Sequence, residues 1–166
     1  MKLCIDTADV EAIKRIYDLY PVDGVSTNPS ILAKSGRPPF EVLKEIREVV
    51  GTEGELFVQV VATDAEGMMR DARRIVQELG ANTVVKIPCV PQGYKAMMQC
   101  RKEGIRTLGT AIYTAMQGYL AAKAGAAYVA PYVNRIDNMG FDGVQVAKDI
   151  HHIIKQSGYA CELLAA

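Results

Sequence analysis

A lysine inside a strongly apolar stretch is the residue of this sequence best suited to covalent chemistry. Lys86 lies in Thr83-Val84-Val85-Lys86-Ile87-Pro88, whose β-branched side chains predict a buried strand. Burial strips an ammonium group of its hydration and so lowers the pKa of the lysine. A lysine with a lowered pKa is partly a free amine near neutral pH, which can attack a ketone and form an iminium. An ion-paired or snorkelling lysine is the structural alternative, but buried strand lysines are uncommon.

Polar residues lie at or near the ends of the other apolar segments as well. Together with Lys86 they make a set of seven: Asp6, Asn28, Gln59, Lys86, Thr110, Tyr132 and Arg135. If the segments are parallel strands, their carboxyl ends meet on one face, which is where barrel enzymes build their active sites. We therefore predict that these side chains form one site.

Four members of this set have an ordinary structural use beside a catalytic one. Asp6 can cap the helix that follows it or hydrogen-bond substrate hydroxyls. Asn28 precedes a proline, and a turn explains it as well as a binding role does. Gln59 and Thr110 can hold a water by hydrogen bonds or satisfy a neighbouring backbone group.

The remaining candidates are an aromatic, an arginine and a histidine pair. The phenol of Tyr132 can transfer protons, although tyrosines are more often amphipathic core residues. Arg135 offers a planar fork suited to phosphate, with a solvated surface arginine as the alternative. His151 and His152 suggest a metal, but adjacent helical positions point about 100° apart, and the sequence has no further histidine. We interpret both as solvated helix residues.

The elements that must position these residues repeat along the chain. Short apolar runs predict strands at about residues 2–6, 23–27, 56–61, 83–88, 107–112, 127–133 and 160–165. The clearest helix between them runs from Thr63 to Leu79, with a capping box of Thr63 and Glu66. Gly104, Gly125 and Gly158 each end a helical stretch just before a strand. A strand–helix unit is therefore repeated.

This alternation predicts an α/β fold with a parallel sheet and right-handed crossovers. The strands look mostly apolar, without alternation between two faces, which indicates burial on both sides. The sequence lacks the glycine-rich motifs of nucleotide-binding open sheets, so we predict a (β/α)8 TIM barrel. A complete barrel takes about 250 residues, and roughly 200 at the least. We expect 1–166 to be one domain of about seven strands, without the eighth strand and the C-terminal helices.

Composition narrows the class of partner. Lys plus Arg equals Asp plus Glu at 19 each, without a run of like charge that would attract nucleic acid or an anionic membrane. The four cysteines form neither a C-x-x-C pair nor a zinc spacing, which is typical of free thiols in a reducing compartment. No apolar run approaches the roughly 20 residues of a membrane span. We expect a cytoplasmic protein with a small-molecule partner.

Several strings resemble the fructose-6-phosphate aldolase branch of the small transaldolase family. They are Ile5-Asp6-Thr7, Thr27-Asn28-Pro29-Ser30, Val85-Lys86-Ile87-Pro88, Thr107-Leu108-Gly109-Thr110-Ala111 and Ala130-Pro131-Tyr132-Val133-Asn134-Arg135-Ile136-Asp137. The resemblance runs from Met1 to Ala166. It implies that Lys86 is the Schiff-base lysine, that Asp6 and Asn28 contact substrate hydroxyls, and that Arg135 contacts a phosphate. It also implies a ring-built homo-oligomer, a decamer in the relatives, whose C-terminal helix packs on neighbouring subunits.

The resemblance further bears on the type of reaction. Aldolases of this family place glutamine and tyrosine around the catalytic water, whereas true transaldolases carry glutamate and phenylalanine there. Gln59 and Tyr132 therefore favour an aldolase, with Thr110 sharing that water. Thr27 and Ala130 are additional predicted substrate contacts. The scheme needs no metal or other cofactor.

The function predicted on this basis is the reversible cleavage of fructose 6-phosphate to dihydroxyacetone and glyceraldehyde 3-phosphate through a lysine Schiff base. The nearest alternative is a transaldolase that passes the dihydroxyacetone unit to an aldose acceptor. An alternative of another class is a truncated, non-catalytic barrel that self-associates to cover its sheet edges. A metal-dependent aldolase or a phosphate-binding isomerase is weaker, because the sequence has no cluster of metal-ligand residues.

Overall fold

Strands and helices alternate along the chain, which the computed structural model describes from residue 2 to residue 165. The strands are β1 (Cys4–Asp6), β2 (Gly24–Ser26), β3 (Glu55–Gln59), β4 (Thr83–Pro88), β5 (Thr107–Ile112), β6 (Tyr128–Pro131) and β7 (Glu162–Leu163). The helices are α1 (Val10–Leu19), α2 (Pro29–Lys34), α3 (Pro39–Val50), α4 (Ala65–Leu79), α5 (Pro91–Lys102), α6 (Ala115–Ala124), α7 (Val133–Asn138) and α8 (Gly143–Gln156). Each predicted strand is confirmed.

The strands form one parallel sheet whose spatial order, β1 to β7, is their order in the sequence. Every neighbouring pair is parallel, and each connection carries at least one helix. The sheet curls into an open barrel in which, over residues 2–165, β1 and β7 each pair on one side only. The predicted α/β barrel fold, incomplete relative to eight strands, is confirmed.

The strands separate two apolar regions, because side chains alternate between the faces of a strand. The larger core lies between the sheet and the helices and contains Val25, Leu56, Val58, Val85 and Ile87, all nearly or fully buried. A smaller cluster inside the curled sheet consists of Phe57, Val84, Leu108 and Tyr128. The predicted burial on both faces is confirmed for β3, β4 and β5, which are buried along almost their whole length. Aliphatic side chains face the helices, and the inner face carries a mixed set that includes Lys86.

Two local predictions need correction. The N-cap of α4 is Asp64, whose carboxylate accepts a hydrogen bond from the Gly67 amide at 2.9 Å, and not Thr63. The negative charge of an aspartate at this position also interacts favourably with the positive end of the helix dipole. Strand β6 ends at Pro131, two residues earlier than predicted, because the chain turns there into α7. The predicted glycine stops after α5, α6 and α8 are confirmed.

None of the helices within residues 2–165 combines the length and the apolar content that a bilayer crossing requires.

Candidate active site

A cavity of about 540 Å³ occupies the inside of the curled sheet. Seven of the predicted site residues line it: Asp6, Asn28, Gln59, Lys86, Thr110, Ala130 and Tyr132. Five of them lie on five different strands, and Asn28 and Tyr132 lie just after a strand. Because the strands are parallel, these positions meet at the carboxyl end of the sheet. Thr27 lies beside the cavity and Arg135 outside its wall. The convergence of polar residues expected from the sequence is therefore observed.

Lys86 is buried on the inner face of β4, with 8% of its surface exposed. Its ammonium nitrogen donates to Ser26 Oγ at 3.0 Å and to the Thr27 carbonyl oxygen at 2.8 Å. Both partners are uncharged, and no carboxylate within residues 2–165 forms a salt bridge with this amine. The alternative of an ion-paired lysine therefore does not hold for the part of the chain that the structure describes.

The environment of Lys86 destabilises its charged form. Burial is the main cause and lowers the pKa of the amine below its ordinary value of 10.5, while the negative charge of Asp6 acts in the opposite sense. The apolar cluster of Phe57, Val84 and Leu108 lies deeper in the sheet, on the same face. This cluster offers the ammonium neither water nor hydrogen-bond acceptors, so the amine is held next to an apolar region at the base of the site.

Ser26 is a site residue that the sequence reasoning missed. It ends β2, is buried, and reaches Lys86 across the intervening strand β3. The signal for it was available, because Asp6 and Ser26 are register partners on β1 and β2 and so share a face. Thr27, predicted as a substrate contact, presents its carbonyl to Lys86 and donates its hydroxyl to the Phe57 carbonyl at 3.0 Å.

Asp6 and Asn28 differ in how they are held. Asp6 is exposed at the cavity rim and does not cap the following helix, because Asp9 does so by accepting from Ala12 N–H at 3.0 Å. Asn28 is the N-cap of α2, and its side-chain oxygen accepts from the Ile31 amide at 3.0 Å. The cap fixes the side chain with its oxygen toward the helix. The carboxylate of Asp6 remains directed to the cavity for other partners.

Gln59 and Thr110 approach Lys86 from the two strands beside β4. Gln59 is the register partner of Lys86 itself, and Thr110 pairs with Pro88, two residues further along. Hydroxyl and amide groups at these places can together hold one water above the amine. Both residues line the cavity, on the strands that flank Lys86.

A β-bulge in β5 follows Thr110 and sets the direction of Ile112. Gly109 pairs with Val129 and Ile112 pairs with Pro131, so Thr110 and Ala111 together oppose the single residue between those partners. Ala111 accommodates the extra residue with a φ of 56°, in the left-handed region that alanine rarely adopts. Thr110 faces the cavity by ordinary alternation from Leu108, whereas the extra residue turns Ile112 into the helix-facing core.

Tyr132 and Arg135 lie at the mouth, where β6 gives way to α7. The Tyr132 ring contacts the Tyr113 ring edge-on, with centroids 5.5 Å apart and planes at 73°. The Arg135 guanidinium carbon lies 4.4 Å from the centre of the Tyr132 ring. Arg135 is exposed in α7, the short helix that follows β6, and so lies near the end of that strand and not within it.

A charged network lines the other end of the same cavity, at the amino end of the sheet. Tyr128 Oη donates to the Glu55 carboxylate at 2.8 Å, Lys2 Nζ lies 3.1 Å from Glu55, and Arg106 forms a salt bridge with it. Burial alone raises the pKa of Glu55, but hydrogen bonds from Arg106, Tyr128 and Lys2 outweigh it and lower that pKa. The sequence patterns did not indicate this network.

The side chains that could bind a metal do not come together at one place in the described part of the chain. Within residues 2–165 no three histidine, cysteine, aspartate or glutamate side chains are grouped as metal ligands would be. His151 and His152 are exposed on α8, in agreement with the prediction that they are solvated.

The chain is similar to known proteins along essentially its whole length. Residues 3–166 match the family model described as Transaldolase/Fructose-6-phosphate aldolase. Proteins named "Probable transaldolase" from Geobacter sulfurreducens and from Geobacter metallireducens are each 46% identical over all 166 residues, which span 76% of either relative.

A solved structure adds information on the fold alone. The 3,6-anhydro-D-galactonate cycloisomerase from Zobellia galactanivorans superposes with a TM-score of 0.63 at 13% identity. The match covers 99% of this chain and 45% of that one, so this chain spans less than half of that structure. Because the family model and the two Geobacter relatives match along essentially the whole chain, the protein belongs to the transaldolase/fructose-6-phosphate aldolase family of enzymes.

Proposed function

We propose that this chain is a class I aldolase in which Lys86 forms a Schiff base with the ketone of fructose 6-phosphate. The observation that supports this most strongly is the Lys86 amine itself. It is buried, bound only by neutral oxygens among the described residues, and directed into a cavity that other polar groups line. A buried amine of lowered pKa is the nucleophile that imine formation needs.

The first stage joins amine and substrate. The unprotonated nitrogen of Lys86 attacks C2 of the ketose, and the carbonyl oxygen takes a proton to give a carbinolamine. Loss of that oxygen as water leaves an iminium. Tyr132 transfers the protons through a water held by Gln59 and Thr110, all three of which line the cavity.

The second stage breaks the sugar chain. The electron pair of the C3–C4 bond moves into the iminium and gives an enamine on Lys86, while the C4 hydroxyl loses its proton and becomes the aldehyde of glyceraldehyde 3-phosphate. Asp6 at the cavity rim receives that proton. Protonation of the enamine at C3 and hydrolysis then release dihydroxyacetone and regenerate the amine.

Contacts at the mouth hold the rest of the substrate. Arg135 is the proposed phosphate ligand, because its guanidinium is exposed and stacked on Tyr132 at the cavity entrance. Asn28, Thr27 and Ala130 are the proposed contacts to the three-carbon donor part. From the family resemblance we also propose a cytoplasmic homo-oligomer, to be checked by the mass of the particle in solution.

Reductive trapping tests the proposal. Borohydride added with dihydroxyacetone should attach a stable three-carbon group to the peptide that contains Lys86. Lys86→Met should abolish labelling, whereas Lys95→Met, which removes an exposed lysine of α5, should not. Unlabelled protein, or an adduct on another lysine, would count against the scheme and favour a non-catalytic barrel.

A transaldolase is the second candidate, because both Geobacter relatives carry that name. A transaldolase forms the same Schiff base as an aldolase. The two reactions differ in the step that consumes the enamine. An aldolase releases glyceraldehyde 3-phosphate from fructose 6-phosphate continuously, while a transaldolase stops after one turnover unless an aldose acceptor is present. We expect continuous release, in line with Gln59 and Tyr132 at the proposed water.

A further inference from the structure

Tyr113 lies next to Tyr132 at the mouth of the cavity and contacts its ring. It is half-buried, does not line the cavity, and meets the Tyr132 ring edge-on at 5.5 Å. Its hydroxyl is also the main cause that raises the pKa of the Arg135 guanidinium. Because Arg135 lies over the Tyr132 ring in turn, the three side chains form one cluster centred on Tyr132.

The backbone around Tyr113 is fixed more firmly than that of an ordinary loop. Its N–H donates to Gln117 Oε1 at 2.9 Å, within the capping box of α6. The neighbouring Ile112 carbonyl accepts from the Tyr132 amide at 3.0 Å. The two tyrosines are thus joined through the backbone of β5 as well as through their rings.

The bulge at Ala111 places Tyr113 in this position. Strand residues alternate between faces, and the one extra residue in β5 reverses that alternation from Ile112 onward. Ile112 accordingly turns to the helix-facing core, and Tyr113 follows with its ring toward Tyr132.

We propose that Tyr113 is a positioning residue that orients the Tyr132 phenol toward the Lys86 side of the cavity and holds the Arg135 guanidinium at its mouth. The inference rests on the function proposed above and assigns a role to a residue outside the reacting groups. The ring of Tyr113 restricts the rotation of Tyr132. The hydroxyl of Tyr113 anchors Arg135, so the two parts of the side chain act on different portions of the substrate.

The experiment separates those two effects with two variants. Tyr113→Ala removes both the ring and the hydroxyl, and Tyr113→Phe removes the hydroxyl alone. The first measurement is the rate at which dihydroxyacetone and borohydride label Lys86, which involves no phosphate. The second is the concentration of glucitol 6-phosphate that halves this labelling, because this ligand carries the phosphate but no ketone.

Loss of the ring in Tyr113→Ala should slow labelling about 3- to 10-fold, the range of an aromatic pair contact expressed as a rate. Tyr113→Phe should label at nearly the rate of the unaltered chain but need several-fold more glucitol 6-phosphate for half-protection. Tyr119→Ala is the matched control, since Tyr119 makes a comparable pair with Tyr159 away from the cavity, with centroids 6.2 Å apart. It should change neither quantity.

The outcomes distinguish this inference from the proposed function. An unaltered chain that acquires no adduct on Lys86 refutes the proposed function. A chain that labels normally, with Tyr113→Ala indistinguishable from Tyr119→Ala in both measurements, overturns the role of Tyr113 alone. If Tyr113→Ala does not fold, an unchanged half-protection concentration in Tyr113→Phe overturns it instead.

Discussion

Replacing Lys86 with methionine should affect stability in a way that depends on pH, besides abolishing the covalent adduct. Methionine keeps the length and the apolar stem of the side chain but carries no charge. In the folded chain the amine of Lys86 has a lowered pKa, whereas in the unfolded chain it has its ordinary value. Burial of the ammonium therefore costs free energy of folding at any pH where the unfolded amine is protonated.

The size of the effect has two parts of opposite sign. Methionine leaves the fully buried Thr27 carbonyl without its donor, which costs about 1 to 3 kcal/mol at every pH. Removal of the ammonium gives back about 1.4 kcal/mol for each unit by which its pKa is lowered. Between the folded pKa and 10.5 the unfolded chain binds a proton that the folded chain lacks, so the unaltered protein gains stability as pH rises through that window.

Urea unfolding of the unaltered chain and of Lys86→Met, from pH 6 to pH 10.5, measures this directly. All other groups titrate in both proteins and cancel in the difference. We expect the unaltered chain to become more stable relative to the variant as pH rises. A stability difference between the two proteins that is constant over this range, or that changes in the other direction, would show that burial does not destabilise the ammonium form of Lys86. The proposed nucleophile would then lose its physical basis.

Three further predictions concern the mouth, the opposite end and the connection of β4 to α5. Tyr132→Phe should slow reductive labelling of Lys86 about 100-fold or more, the range of a lost proton-transfer group; normal labelling would exclude the phenol. Glu55→Gln should lower the free energy of unfolding by about 1 to 3 kcal/mol, toward the smaller end because the Arg106 side chain is 37% exposed. Since the pKa of Glu55 is lowered on folding, this difference should narrow as pH falls below about 4.3 in urea titrations; a constant difference would refute it. Gly93→Ala should destabilise the chain by about 1 to 3 kcal/mol in the same assay, because an added Cβ would lie 1.9 Å from the Pro88 carbonyl oxygen; an unchanged midpoint would contradict this.

The strands and the convergence of polar residues were predictable because both follow from local patterns. Short β-branched runs between helical stretches indicate parallel strands, and residues at the ends of parallel strands must share one edge. Gln59 and Lys86, predicted from separate segments, are indeed register partners. The prediction of one site depended on this geometry and needed no knowledge of which side chains touch.

What the sequence concealed depends on contacts between distant segments or on a single backbone angle. Ser26 reaches Lys86 over a separation of 60 residues, and Lys2 reaches Tyr128 over 126. The bulge follows from the positive φ of Ala111, which the alanine side chain does not signal. The position of Tyr113 depends on that bulge and therefore could not be predicted from strand periodicity.

The apolar cluster of Phe57, Val84, Leu108 and Tyr128 has a consequence for redesign. Phe57, Leu108 and Tyr128 line the middle of one continuous cavity, with the charged network of Glu55 at one end and the amine of Lys86 at the other. The ion pairs of Glu55 with Lys2 and Arg106 lie at the amino end, away from the residues at the mouth. Substitutions at the mouth can therefore change the size and polarity of that end of the cavity while these ion pairs stay intact.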